Sequence, residues 1–158
     1  FGYGFPVDGL VHELKYDGRL AVSRVLGTLL GRTASSRGWQ SGIDVLLPVP
    51  LHPDKLFERG FNQSFEIARW VARETALTCE PRALGRLRPT RPQVGLALEA
   101  RHANLQGAFG VNGSWQGRRV AVIDDVMTTG STLREIAWVL RRAGAARVDA
   151  WCVARTPA

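Results

Sequence analysis

The chain has few of the residues that build metal clusters, disulfide frameworks or membrane anchors. Its two cysteines, Cys79 and Cys152, stand alone and far apart, a spacing that matches neither a zinc site nor a disulfide scaffold. They are expected to be buried small hydrophobes in a reducing compartment, with the cytoplasm as the expected location. No window approaches 18 consecutive apolar residues, which argues against a membrane span. No basic segment runs into an apolar stretch with a small-residue cleavage site, so no secretory leader is expected, and the opening on Phe1 instead of Met suggests that residues ahead of it are missing. The phosphate-binding patterns G-x-x-x-x-G-K-[ST] and G-x-G-x-x-G are also absent, which removes the common nucleotide motifs. There is no internal repeat and no low-complexity tract.

Lysine is scarce as well. Two lysines and 19 arginines face 14 acidic residues, giving a formal net charge of +7 that is almost entirely guanidinium. Polyanions are natural partners for such a surface, and charge alone does not choose between phosphorylated metabolites and nucleic acid. Arginine bias can equally reflect the composition of a genome.

The 158 residues, 45% of them hydrophobic, suit one domain with its own core, spanning 1–158. Leu10, Val11 and Leu14 predict a short helix ending at the Asp17-Gly18 turn, and Leu20, Ala21, Val25, Leu26 and Leu29 predict the apolar face of a second, ending before Gly31. Residues 33–42 read as a surface loop. The run 43–49 reads as a buried parallel strand, followed by a proline-bounded loop, Pro50 to Pro53. A helix over about 62–74 with Asn62 as its cap comes next. Residues 85–106 lack a sustained period and form a long excursion of the kind that acts as a lid or binding segment. Val120-Ala121-Val122-Ile123 is the strongest strand signal, stopping at two acids. A helix closed by Gly144 and a strand over 148–153 complete the chain. Alternating strands and helices predict an α/β fold, a single open and mostly parallel sheet with helices on both faces.

In such a sheet, ligands collect where strands end and loops enter helices. Asp124 and Asp125 stand at that place, followed by Val126, Met127, Thr128, Thr129, Gly130, Ser131 and Thr132. Hydroxyls and backbone N–H groups entering a helix suit a phosphate, and Gly130 removes a side chain that would block its approach. The two carboxylates suit sugar hydroxyls or metal-bound water. The bland alternative, a strand end followed by an ordinary helix cap, explains one or two of these residues but not the set.

The run of four hydrophobic residues, two acids, two more residues and Thr-Thr-Gly-Ser-Thr resembles the signature of the type I phosphoribosyltransferases. Leu14-Lys15-Tyr16, Pro48 to Pro53, Glu58-Arg59-Gly60-Phe61-Asn62-Gln63, Arg101 to Phe109 and Val153 to Thr156 narrow the resemblance to the ComF/GntX family of phosphoribosyltransferase-like proteins. Some of its members are needed for DNA uptake in natural transformation. The resemblance implies a ribose role for Asp124 and Asp125, a 5-phosphate role for 128–132, and 5-phosphoribosyl-1-pyrophosphate with Mg2+ as ligands, the metal at Asp124 and Asp125. It also implies pyrophosphate contacts from Pro50, Leu51 and His52 and a bidentate contact from Arg59, which is grouped with the two acids as catalytic. The 85–106 excursion would be a flexible hood bringing Arg86, Arg88, Arg91 and Arg101 to the leaving group, with Gln93 and Asn104 ordering it. The cysteine-rich, zinc-ribbon-like segment common in the family has no counterpart here, so no zinc is expected.

Several of these residues allow more than one reading. The proline loop and Arg59 are also readable as a turn and a surface charge. His52 is a proton donor, a phosphate contact or a polar residue between prolines. The five tryptophans are expected to pack, with Trp39 and Trp115 in predicted loops where they could be exposed. The whole chain is readable as a transferase with an unnamed acceptor, as a non-catalytic module for phosphoribosyl ligands or single-stranded DNA beside a competence helicase, or as an adaptor on an inherited fold.

Overall fold

The computed structural model describes residues 1–88 and 107–156. Helices α1 (Val7–Tyr16) and α2 (Leu20–Ser36) precede strand β1 (Val45–Pro48). Helices α3 (Pro53–Arg59) and α4 (Gln63–Thr75) lead to β2 (Thr78–Cys79), and β3 (Leu84–Arg86) pairs antiparallel with β4 (Phe109–Val111) as a ribbon. Strand β5 (Arg119–Met127), helix α5 (Ser131–Arg142) and strand β6 (Arg147–Arg155) finish the described fold.

The main sheet is parallel, in the order β2-β1-β5-β6. From β1 the chain steps outward to β2, then returns past β1 to lay down β5 and β6 on the other side. The order therefore reverses between β1 and β5, and the loops leaving these two strands diverge to open a crevice at their carboxyl ends. Val45 to Pro48 pair in register with Val120 to Ile123, and Val49 N–H donates to the Ile123 carbonyl at 2.9 Å, so the two strands reach the rim together.

Side chains alternate across these strands. Leu46, Ala121, Ile123, Trp151 and Val153 pack against α1, α2 and α4, whereas Val45, Leu47, Val120 and Val122 pack against α5 and the ribbon. Burying each large aliphatic side chain is worth about 1.5–3 kcal/mol, and with both faces covered the strands need no polar alternation. Residues 1–3 extend the rim: Gly2 bridges to Arg155, and the Phe1 backbone nitrogen donates to the Val153 carbonyl at 2.9 Å.

Several sequence expectations change. Helix α2 does not stop before Gly31 but runs to Ser36, so the expected loop 33–42 is helical in its first part, and its buried face carries Val22, Leu26, Gly27, Leu30, Gly31 and Ala34. Leu20, Val25 and Leu29 are exposed. Pro53 opens α3 instead of closing a loop, because proline's fixed φ and missing N–H suit a first helical position. Strand β5 passes through both acids to Met127, since β6 continues beside it as far as Arg155. Trp115 is buried and Trp39 half-buried, its ring centroid 6.0 Å from that of Trp151. Cys79 and Cys152 are free and half-buried, not fully buried. Of the expected hood, residues 85–88 include the end of β3, while 89–106, with Arg91, Gln93, Arg101 and Asn104, lie outside the described residues.

Candidate functional site at the strand switch

Asp124, Asp125 and the loop that follows leave β5 beside the end of β1, whose continuation is Pro50, Leu51 and His52; these three residues are not among those that line the hollow described below. Asn62 fixes the arrangement from the side. Its Oδ1 caps α4 by accepting from Ser64 N–H at 3.0 Å and Phe65 N–H at 3.4 Å, while its Nδ2 donates to the Val49 carbonyl at 3.0 Å. One asparagine thus ties the start of α4 to the end of β1, and brings Ser64 beneath β5.

Asp124 is half-buried. Its Oδ1 accepts from Ser64 Oγ at 3.0 Å and from the Asp125 N–H at 2.9 Å. Loss of hydration, and then the neighbouring Asp125 charge, push its carboxyl well above the ordinary carboxylate range, against the opposing pull of these hydrogen bonds and of Lys15. Asp125 is only 3% exposed. Its Oδ1 accepts from its own successor, Val126 N–H, at 2.7 Å, and its Oδ2 lies 2.6 Å from Lys15 Nζ, a contact that is an ion pair rather than an aligned hydrogen bond.

Beyond Asp124 lies a shallow hollow open to solvent, lined by Asp124, Val126, Met127, Thr128 and Gly130 to Leu133. Gly130 is the residue before α5, with φ at 73°; it has no side chain to cap that helix, and Thr129 Oγ1 accepts from the Ser131 N–H only at a long 3.5 Å. The glycine is required here for its left-handed backbone: a Cβ would make only an ordinary 3.6 Å contact with Met127 Sδ. Thr129 Oγ1 and Ser131 Oγ are hydrogen-bonded at 2.9 Å, with either hydroxyl able to donate. The first N–H groups of an α-helix attract an anion, and the hydroxyls add donors.

His52 has a role that the sequence did not disclose. Its Nδ1 accepts from the Asp54 N–H at 3.3 Å and so caps α3. Arg59, at the other end of α3, donates to Gln63 Oε1 at 2.5 Å and lies 5.8 Å from the ring centroid of Tyr16, the residue beside Lys15. Arg86 packs 5.5 Å over Phe109 within the ribbon and feels the Asp124 charge, which raises its affinity for the proton while burial, the larger effect, lowers it.

Two participants were missed as individual site residues in the sequence, Lys15 and Ser64. Lys15 lies in a segment used only for resemblance, and Ser64 looks like an ordinary first-turn serine; their meaning depends on contacts 110 and 60 residues away along the chain. Among the described residues no group of three or more His, Cys, Asp or Glu gathers to hold a metal ion. The donor set suits instead a hard cation such as Mg2+ held through a protein carboxylate, water and the oxygens of a phosphorylated ligand.

No protein-family model matches the chain. It is 36% identical over 157 residues to the DNA utilization protein YhgH of Escherichia coli K12, covering 98% of this chain and 69% of that protein. It is 31% identical over 156 residues to competence protein F of Haemophilus influenzae, covering 95% of this chain and 68% of that protein. Among solved structures, the glutamine phosphoribosylpyrophosphate amidotransferase of B. subtilis superposes with a TM-score of 0.56 at 24% identity, over 83% of this chain and 26% of the enzyme. The fold is that of the type I phosphoribosyltransferases.

Proposed function

The chain belongs to the ComF/GntX family of competence-associated proteins with a type I phosphoribosyltransferase fold, and we propose that it binds 5-phosphoribosyl-1-pyrophosphate with Mg2+ at the β1/β5 crevice. The observation that carries this reading is the hollow that joins the Asp124 carboxylate to the hydroxyl-rich start of α5 behind Gly130. A sugar phosphate needs both: an acceptor for ribose hydroxyls and a cradle of donors for the 5-phosphate.

Each group has a separate task in that reading. Asp124 accepts from the ribose hydroxyls, with Ser64 and the Asp125 N–H holding its orientation. Residues 128–132 hold the phosphate, the backbone of Pro50 to His52, which continues from the end of the neighbouring β1, would meet the pyrophosphate, and Arg59 supplies cationic charge from the end of α3. Bound Mg2+ would offset charge on the pyrophosphate oxygens, with Asp124 the described carboxylate open to its water shell. The reaction class that fits is transfer: the bond from the anomeric carbon to pyrophosphate breaks with its electron pair leaving on pyrophosphate, and an acceptor nucleophile takes its place. A carboxylate beside the ribose favours the positive charge that develops on the sugar. The name of the Escherichia coli relative, a DNA utilization protein, supports DNA handling as the setting in which the activity is used.

A second reading, a module that holds single-stranded DNA without transfer, is favoured by one surface feature. Trp138 on α5 is 51% exposed with Arg142 4.8 Å from its ring centroid, the pairing of stacking face and cation that suits an unpaired base and its phosphate.

Isothermal calorimetry decides between them. Titration with 5-phosphoribosyl-1-pyrophosphate should give binding that requires Mg2+ and is lost in Asp124→Asn. No binding to the folded protein, together with salt-sensitive binding of an oligonucleotide, would sink the first reading in favour of the second.

A further inference from the structure

Asp124 and Asp125 are neighbours in sequence with opposite surroundings. Asp124 lines the hollow. Asp125 follows the parity of Ala121 and Ile123, whose side chains face α1, α2 and α4, and there it meets the α1 residue Lys15 at 2.6 Å. Both of its oxygens are directed at protein, one at Lys15 Nζ and one at the Val126 N–H, and the Lys15 side chain is itself only 23% exposed.

A buried carboxylate without a counter-charge is costly, by several kcal/mol once hydration is lost. The counter-ion here is a lysine in a chain with only two of them against 19 arginines. A compact ammonium can address a single oxygen at the tip of a helix, where the planar fork of an arginine would demand two. The contact also spans the fold: α1 is the first helix, its Val11 and Leu14 are fully buried, and Lys15 at its last turn reaches the strand that launches the 126–132 loop.

We propose that Lys15 is a positioning residue: by neutralising Asp125 it fixes that carboxylate as the buried anchor of the 126–132 loop, and leaves Asp124 as the carboxylate of the pair offered to ligand. The assignment rests on the phosphoribosyl reading above. Asp125 then contributes through its Val126 hydrogen bond, which sets the backbone at the point where the loop departs, rather than by touching sugar or metal.

The test is a charge-removal cycle on the full chain, using Lys15→Met, Asp125→Asn, the double variant and Lys15→Arg. Each is followed by thermal melting and by calorimetric titration with 5-phosphoribosyl-1-pyrophosphate and Mg2+ at a temperature where all are folded. Either neutralising single variant leaves one partner unmatched, so each should lower the melting temperature by roughly 5 °C and weaken binding about tenfold or more. The double variant should recover both, with affinity within about threefold of wild type, since nothing charged is then left unpaired. Lys15→Arg, which keeps the charge, should retain more affinity than Lys15→Met. A double variant that regains its melting temperature but not its affinity would overturn the proposal, because Asp125 would then be needed by the ligand itself. Additive melting shifts would overturn it as well, since the two residues would not be coupled. If wild type fails to bind, the ligand reading falls and the functional half of this assignment with it, while coupled melts would still support Lys15 as the anchor of Asp125.

Discussion

Ser64 on α4 donates to Asp124 Oδ1 on β5 at 3.0 Å, and this single hydroxyl joins the capped start of a helix to the carboxylate of the candidate site. Burial disfavours the charge on Asp124, so each donor it keeps matters to its state. Ser64→Ala removes one hydrogen bond to an ionisable group, worth about 1.5–3 kcal/mol when the partner is charged. The expected outcome is affinity for 5-phosphoribosyl-1-pyrophosphate lowered about tenfold or more, with the Asn62 cap intact and melting within a few degrees of wild type. Unchanged affinity would mean that Asp124 is oriented by something else.

Asp124 itself should be a burden on the ligand-free fold. Its carboxyl is raised above its ordinary value, so the folded state holds the proton more tightly than the unfolded chain does. As pH rises from about 4 toward the raised value, the unfolded chain gains by ionising and the folded one does not, and stability falls across that window. Asp124→Asn keeps an oxygen for Ser64 but carries no such penalty. It should therefore melt at the same temperature as wild type near pH 4 and roughly 3 °C or more higher at pH 8, while losing the ligand. A variant that melts lower than wild type at pH 8 would contradict the account.

At the opposite end of the sheet the sign reverses. Asp44 receives the Arg119 guanidinium at 2.7 and 3.3 Å and the Arg119 N–H at 2.8 Å, which hold its carboxyl down at about 2. Its contribution is present above the ordinary carboxylate range and is lost as pH falls through about 2. The pair is solvent-exposed, so the effect is small and screened by salt. Asp44→Asn should lower the melting temperature by roughly 1–3 °C at neutral pH and low salt, a gap that closes between about pH 4 and pH 2 and shrinks in about 1 M salt.

The parts of this fold that were legible in the sequence are those where a local signal and the tertiary context agree. The apolar run of β5, the Asn62 cap and the acid pair before Thr-Thr-Gly-Ser-Thr all depend on residues close together in the chain. The acids misled as a strand terminator, because the extension to Met127 is imposed by pairing with β6. The short strands β2, β3 and β4 span two or three residues each, too few for a period to show. Of the site, the loop was readable from its composition. What distinguishes Asp124 from Asp125 was not, because it comes from Ser64 and Lys15, which reach the acids only through the fold.

The misplaced face of α2 has the same origin, and it leads to a prediction about glycine. Gly31 reads as a helix stop, yet Gly27 and Gly31 lie one turn apart on the face that meets α4. A Cβ at Gly27 would stand 2.6 Å from the Ile67 carbonyl oxygen and 2.7 Å from Trp70 Cβ; at Gly31 it would stand 2.6 Å from Glu74 Cβ and 3.2 Å from Val71 Cα. The absent side chains are what allow the two helix backbones to approach, and with them the sequence's apolar pattern loses two of its expected marks. Alanine is the better helix former, by about 0.5–1 kcal/mol relative to glycine, so propensity alone predicts stabilisation at both positions. Packing predicts the reverse, because a backbone carbonyl cannot swing aside and the helices must separate, at a cost of about 1–3 kcal/mol. Gly9 in α1 provides the control, since a Cβ there meets nothing within 4 Å. Denaturant unfolding should therefore show Gly9→Ala neutral or stabilised and Gly27→Ala destabilised by about 1–2 kcal/mol after the propensity gain is subtracted. Because α4 carries Ser64 and the Asn62 cap, moving it away from α2 should also weaken ligand binding in Gly27→Ala, and Gly9→Ala should leave it unchanged.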